Sequence, residues 1–510
     1  MVLLYPLAHF MRQRLTIAHI ISEVQPFSKS GGLATIGGSL PRAHRELGHN
    51  VLIITPYYEN IINVEGQTLE VVAENEHVEL SPGIWEEVSF LKGMLPSSDV
   101  PVYFVASKKF FGERNTLYGA VNDNARFFFF DVAALHLLKL LNLKANVLHC
   151  HDWHTGLIPY FLRGRYKKDE FWHDTACLFT IHNLAFQLGH DWWAIPEGER
   201  DPGTSSLPTF DDVDRVEKIN FAKRAIMNAD AINTVSETYR EEIMTKDFGQ
   251  ELNRVLKNRE KIVFGIVNGI DYDDYNPLTD PGLVQHYSDK SAGRKKDNKL
   301  YIQKKYGLEV DESVPLICMT SRITNQKGFD LFSLVVSTIL RLNAQIIIMG
   351  DGDKALSDML LSVEKEFPKK FAFIPFDSNM ETSLYAGSDM FLLPSRFEPC
   401  GLNQLIALRY GCIPIVHHIG GLADTITDFD PYEQTGNGFT FPRYDSGNLL
   451  IAIVRALETY KYKDTWRDLV VFCLQQANSW IIPAQKYIEL YKTTIRLKKK
   501  FMRNGGGNGK

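Results

Sequence analysis

Five places in this 510-residue sequence set chemically useful side chains where an apolar run ends. Lys29, Gly31 and Gly32 follow the first such run. Glycines there let the backbone approach a phosphate, amides at a helix start favour the anion, and a lysine adds charge; a purely structural strand–helix turn is the alternative. His151, Asp152, Trp153 and His154 close the run NVLHCH, and Trp beside Asp suits a sugar ring. The alternative is Asp152 capping a helix with Trp153 packed beneath it. His182 and Asn183 end the next run in the same way. Arg322 and Lys327 flank a turn, where two cations suit a diphosphate whose charge grows as it departs; surface ion pairing is the alternative. Glu398 offers a carboxylate just before Cys400, Gly401 and Leu402 lead into a helix, its alternative being a capping carboxylate.

Such residues need strands to hold them, because open α/β sheets bind ligands beyond the carboxyl ends of their strands. LTIAHIIS is a β-branched run suited to a buried parallel strand. The loop KSGGLATIGG, the helix SLPRAHREL stopping at Gly48, and the strand VLIITP complete a β–loop–α–β unit. VPVYFVAS, NVLHCH, ACLFTIH and DAINTVS continue the series. A second series begins past Pro277, with VPLICMTSR, AQIIIMGDGD, FAFIPF, DMFLLPS and IPIVHH as strands. From Asn448 the pattern is helical to about Lys500. The chain therefore reads as α/β, with two Rossmann-like domains in tandem joined near 264–277.

Composition narrows the function. Lys and Arg total 56 against 61 Asp and Glu, a formal charge of -5, so no basic field recruits nucleic acid or anionic lipid. Six cysteines without a CxxC fit a reducing compartment and give no zinc spacing. The most apolar stretch, 127–150, is interrupted by Asp131, His136 and Lys139, so no membrane span is expected. The start reads as a loose extension with Met11 as an alternative initiator, and the end as a disordered glycine-rich stub.

In order and with matching spacing, PFSKSGGLATIGGSLPRA, HCHDWHTGLIP, FTIHNLAFQ, INTVSETY, GIVNGIDYDDYNP, SRITNQKGFDL, YAGSDMFLLPSRFEPCGLNQL and GGLADTI resemble the bacterial glycogen and starch synthases of the ADP-glucose type. The resemblance spans residues 17–491. It implies a retaining glycosyltransferase of GT-B type, two doubly wound Rossmann-like domains facing a deep cleft that close on the donor. The implied reaction moves glucose from ADP-glucose to the non-reducing end of an α-1,4-glucan, with UDP-glucose as the alternative donor. By the same resemblance, 1–263 form the acceptor-side domain, completed by a terminal helix at about 478–500; 264–477 form the nucleotide-sugar domain and 501–510 a flexible tail.

The resemblance also assigns roles. His182, Arg322, Lys327 and Glu398 are the implied catalytic set, the two cations on the diphosphate and the other two on hydroxyls of the donor glucose. Lys29, Gly31, Gly32, Asn268, Phe376, Cys400, Gly401, Leu402, Asn403, Gly420 and Gly421 complete the nucleotide-sugar site, with Phe376 stacked on the adenine and backbone amides near the glycines on the phosphates. Asp152 and Trp153 line the acceptor side, and a helix with Trp480, Tyr487 and Tyr491 crosses back to the first domain. The implied enzyme is cytoplasmic and takes no metal or other cofactor. Its partners are the sugar nucleotide and glycogen, not nucleic acid or membrane.

Departures from the family pattern accompany the match. Ala34 and Thr35 stand where the family carries Gly or Ala and then Asp, which removes a carboxylate partner for donor or acceptor. Phe186 replaces a common Tyr, Leu188 is inserted before Gly189, NDNARF only approximates its motif, and Ile406 stands where many related folds have a second carboxylate. A glucan-binding protein without turnover is the rival from another class.

Overall fold

The computed structural model describes residues 14–64, 66–187 and 192–503. The expected amino-terminal extension, the insertion at Leu188 and the glycine-rich stub from 504 lie outside the described residues. The chain divides into two compact units. The first comprises the described residues through Thr234, Ile243–Phe264 and those from Ala484 onward; the second comprises Val235–Glu242 and Gly265–Pro483.

The first unit carries a nine-stranded sheet in the order β3-β4-β5-β2-β1-β6-β7-β8-β9. Its strands are β1 (Thr16–Ile20), β2 (Asn50–Pro56), β3 (Glu70–Ser81), β4 (Ile84–Met94), β5 (Pro101–Ala106), β6 (Val147–His151), β7 (Ala176–Ile181), β8 (Ala231–Thr234) and β9 (Val263–Gly265). The run β5-β2-β1-β6-β7-β8 pairs in parallel. β6 and β7 are buried along their whole length, as strands covered on both faces must be. The hairpin β3–β4 is antiparallel and extends the edge. The sequence reading missed it, since charges alternate through EVVAENEHVELS and β3 is largely exposed until its end.

The loop expected over KSGGLATIGG is mostly helix, because the helix begins at Gly32 and runs to Glu46. Gly37 and Gly38 are packing residues inside it: a Cβ on either would stand 2.8 Å from the carbonyl of Glu23 or Gln25. Their absence of side chain lets the helix press on the segment leaving β1. The apolar stretch that includes Phe127 forms the helix Asp123–Leu140, buried on nearly every face; a helix apolar all round belongs in a core. Its buried Asp131 accepts the amide of Leu157 at 2.8 Å. Among the described residues no helix is long and apolar enough to cross a membrane. The terminal helix Ile481–Arg503 continues into the stretch expected as tail, and its Tyr487 and Tyr491 are fully buried in the first unit.

The second unit holds a six-stranded parallel sheet, β12-β11-β10-β13-β14-β15. Its strands are β10 (Leu316–Thr320), β11 (Gln345–Met349), β12 (Phe371–Ile374), β13 (Met390–Leu393), β14 (Ile413–His417) and β15 (Phe439–Phe441), the last absent from the sequence reading. Both sheets are doubly wound, so both parts are Rossmann-like. In each, strand order reverses at one point, between β1 and β6 in the first sheet and between β10 and β13 in the second. Ligand crevices open at such points, beyond the carboxyl ends of the strands.

Candidate active site

In the first unit the reversal point gathers the loops after β1, β6 and β7. Glu23, only 2% exposed, is the residue that organises the first loop, and the sequence reading passed over it. Its carboxylate accepts the amides of Ser30 and Gly31 and hydrogen-bonds Tyr118, while burial raises its pKa. A lone carboxylate at the end of an apolar strand was the signal available. Gly31 and Gly32 are exposed, and a Cβ on Gly31 would meet nothing within 4 Å. The amide of Gly31 is therefore already used, leaving those of the following turn to face outward. Lys29 is exposed, its ammonium donating to Gln25 Oε1 at 3.1 Å; Thr35 donates to the same oxygen at 3.3 Å.

Asp152 is not a helix cap: no capping hydrogen bond is made by its side chain in the turn Trp153–Thr155. Its carboxylate instead accepts the amides of His182, Asn183 and Trp153, and burial lifts its pKa to about 8 against those bonds. Its backbone lies at φ 61°, a strained setting for a residue with a Cβ. Asp152 thus ties the end of β6 to the end of β7 and fixes where His182 stands. Trp153 corrects an expectation. It is 3% exposed and meets Phe127 edge-on at 5.2 Å, so it offers no open face for sugar stacking. The aromatic signal came from a core residue. His182 itself is part-exposed, and its Nε2 hydrogen-bonds His151 Nδ1 at 3.0 Å. Burial of the ring pulls its pKa down to about 3, so it is neutral at neutral pH.

In the second unit, the turn after β10 and the loop after β13 meet. Lys327 Nζ pairs with Glu398 Oε2 at 2.6 Å, with the two side chains 18% and 8% exposed. Ser395 Oγ donates to the same carboxylate oxygen at 3.0 Å, so Glu398 is a paired, part-satisfied acceptor and not a helix cap. Gly328 makes the approach possible. It sits at φ 82°, and a Cβ there would lie 2.1 Å from the Pro394 carbonyl oxygen. Arg322 is exposed and has no ion pair among the described residues.

Asn403 Nδ2 donates to Thr320 O at 2.8 Å, locking the helix Asn403–Arg409 against the end of β10. Cys400 is buried, which pushes its thiol up to about 12, and Asn268 hydrogen-bonds it through backbone and side chain. Asn268 Oδ1 is buried with no hydrogen-bond partner among the described residues, an acceptor available to a ligand hydroxyl. Phe376 is half-exposed beyond β12.

The amides of Gly420 and Gly421 themselves are engaged within the second unit. Gly420 N–H donates to Glu242 Oε1 at 2.9 Å, and Gly421 N–H to the Glu398 carbonyl at 3.0 Å. Their missing side chains matter sterically, since a Cβ on either would stand 2.1 Å from the carbonyl of Glu398 or Cys400. These glycines pack the segment that carries Glu398.

Residues 16–258 match the family model for the starch synthase catalytic domain, and residues 303–468 match that of glycosyl transferases group 1. A glycogen synthase of Thermosipho melanesiensis is 40% identical over 489 residues, covering 94% of this chain and 99% of that protein. One from Clostridium perfringens is 39% identical over 479 residues, covering 93% and 97%. Among solved structures, the catalytic domain of starch synthase IV from Arabidopsis thaliana bound to ADP and acarbose superposes with a TM-score of 0.83 at 31% identity, covering 95% of this chain and all of that one.

Proposed function

This chain belongs to the starch synthase family of glucosyltransferases, and we propose that its donor is ADP-glucose and its acceptor the non-reducing end of an α-1,4-glucan such as glycogen. The observation that carries the donor is the ADP held by the Arabidopsis starch synthase IV domain, since ADP is what ADP-glucose leaves behind.

The second unit's geometry suits the leaving group. Arg322 has no ion pair among the described residues, and Lys327 uses one ammonium hydrogen on Glu398, which leaves two for phosphate oxygens. Fixed cations aimed at a departing diphosphate stabilise charge that grows in the transition state. Leu402 and Asn403 add amides at a helix start, and Phe376 supplies a ring for the base. Glu398 has acceptor capacity beyond Lys327 and Ser395 for sugar hydroxyls, as has Asn268 Oδ1. In the first unit His182 takes a further hydroxyl of the transferred glucose, and Asp152 serves by holding His182 in place. The acceptor oxygen attacks the face that the diphosphate leaves, which retains the anomeric configuration. The site's countercharge comes from lysine and arginine.

Release of ADP and of UDP from the two glucose donors, with glycogen as acceptor, tests the reading. Faster turnover of ADP-glucose is the expected result. Preference for UDP-glucose overturns the donor, and glucan binding with no nucleotide release from either overturns turnover itself.

A further inference from the structure

Behind His182 the first unit buries three further imidazoles that no step above uses, and the four rings form a chain. His182 Nε2 meets His151 Nδ1 at 3.0 Å, His151 Nε2 meets His19 Nδ1 at 3.0 Å, and His19 Nε2 meets His44 Nδ1 at 3.2 Å. His19, His44 and His151 are each no more than 1% exposed. His149 lies tilted beside His151, ring centres 3.9 Å apart, but stands outside the chain, its nitrogens facing Tyr491 and Thr180 hydroxyls at 2.8 and 2.7 Å. His19, His149 and His151 lie close enough for a metal, yet their nitrogens already hold these bonds, so the cluster is a hydrogen-bonded array.

Burial keeps all four rings of the chain neutral at neutral pH. A neutral imidazole carries one proton, and each link needs one. Head-to-tail linkage then permits only two arrangements, with every proton pointing one way or every proton pointing the other. The far end selects between them. His44 Nε2 is buried with no well-formed hydrogen bond among the described residues; because Nδ1 is committed to His19, the Ala484 backbone, which favours a proton on the ring, acts on Nε2. A proton on His44 Nε2 makes its Nδ1 an acceptor, and the same sense runs through His19 and His151 to His182.

We infer that His44, His19 and His151 are positioning residues that lock His182 in the Nε2–H tautomer, so that its Nδ1 presents a lone pair to a hydroxyl of the transferred sugar. This rests on the reading that His182 holds the donor glucose. An acceptor nitrogen selects a hydroxyl that can donate, and disfavours a fluorine or ether oxygen in the same place.

Long-range proton–nitrogen correlation spectra of the full chain, with ring-labelled histidine, read the tautomer directly. The His182 signals are those lost in His182→Gln. The expected spectrum has Nδ1 bare and Nε2 protonated, in one species. In His19→Leu, checked for folding by circular dichroism, His182 becomes a mixture of tautomers. The donor KM then rises roughly threefold to tenfold with kcat within about twofold, the size of one neutral hydrogen bond in binding. A protonated Nδ1 in the wild type overturns the inference, as does an unchanged His182 signal in folded His19→Leu. If that variant does not fold, His44→Phe and the wild-type spectrum decide. A fixed tautomer combined with wild-type KM and kcat in His182→Gln sinks the sugar-holding role while leaving the chain intact.

Discussion

Replacing Gly328 by alanine tests how the second unit assembles its ion pair. Gly328 sits at φ 82°, and the new Cβ would lie 2.1 Å from Pro394 O and 2.7 Å from Pro394 C. Those are backbone atoms, so no side chain can swing away. Restoring a normal contact separates the two segments by about 1 Å. Lys327 rides on one segment and Glu398 soon follows Pro394 on the other, so their 2.6 Å pair opens with them. A left-handed alanine adds about 1–2 kcal/mol of strain, and overpacking about 1–3 kcal/mol more. For a unit of this size a loss of that order lowers Tm by roughly 4–20 °C. A misplacement of about 1 Å in a positioned group costs roughly 100-fold in turnover. Gly307→Ala is the control, since Gly307 shares the left-handed backbone at φ 72° with nothing within 4 Å of its would-be Cβ. Thermal melts and kcat at saturating donor on both variants give the answer. If Gly328→Ala keeps more than a third of wild-type turnover, or loses no more stability than Gly307→Ala, the steric coupling is wrong.

Lys327→Ala and Glu398→Ala should each lower kcat by about two orders of magnitude, as loss of one transition-state stabiliser does; normal steady-state rates in either would remove that residue from the mechanism. Gly31→Ala should leave Tm unchanged, because its Cβ meets open space, while the donor KM rises if a phosphate approaches that backbone; an unchanged KM removes Gly31 from the donor site. The buried imidazoles should cost stability as pH drops below about 6.5. His19 and His182 stay neutral in the folded state down to about 3 but charge when unfolded, each costing at most about 1.4 kcal/mol per pH unit, so His182→Gln should gain stability relative to wild type from pH 6.5 to 4.5, and a pH-independent difference in chemical denaturation midpoint would contradict it. Asp152 acts in the opposite sense. With its folded pKa raised to about 8, it destabilises increasingly as pH climbs from about 4 to 8, so Asp152→Asn should gain stability over wild type across that window; a pH-independent difference in denaturation midpoint argues against this.

The sequence alone determined the two Rossmann-like folds and the family, and it marked the strand ends where the proposed chemistry sits. Those features are local: a β-branched run such as AQIIIMG is a buried strand wherever it sits, and a glycine, lysine or carboxylate beside its end is visible in the same window. What tertiary structure decided are relations between distant residues. Lys327 and Glu398 are 71 positions apart, and their contact depends on Gly328 lying against Pro394. Trp153 and Asp152 have the residue types of a sugar site, but packing against Phe127 and the amides of 182–183 puts them to structural use. Gly420 and Gly421 look like phosphate-binding glycines in one dimension, while in three their amides are occupied and their bareness admits a neighbouring carbonyl. The imidazole chain is the clearest case. His19 and His149 are register partners in β1 and β6, His151 neighbours Thr180 in β7, and His44 arrives on a helix. No window of sequence contains them together, because parallel pairing joins strands that the chain visits more than a hundred residues apart.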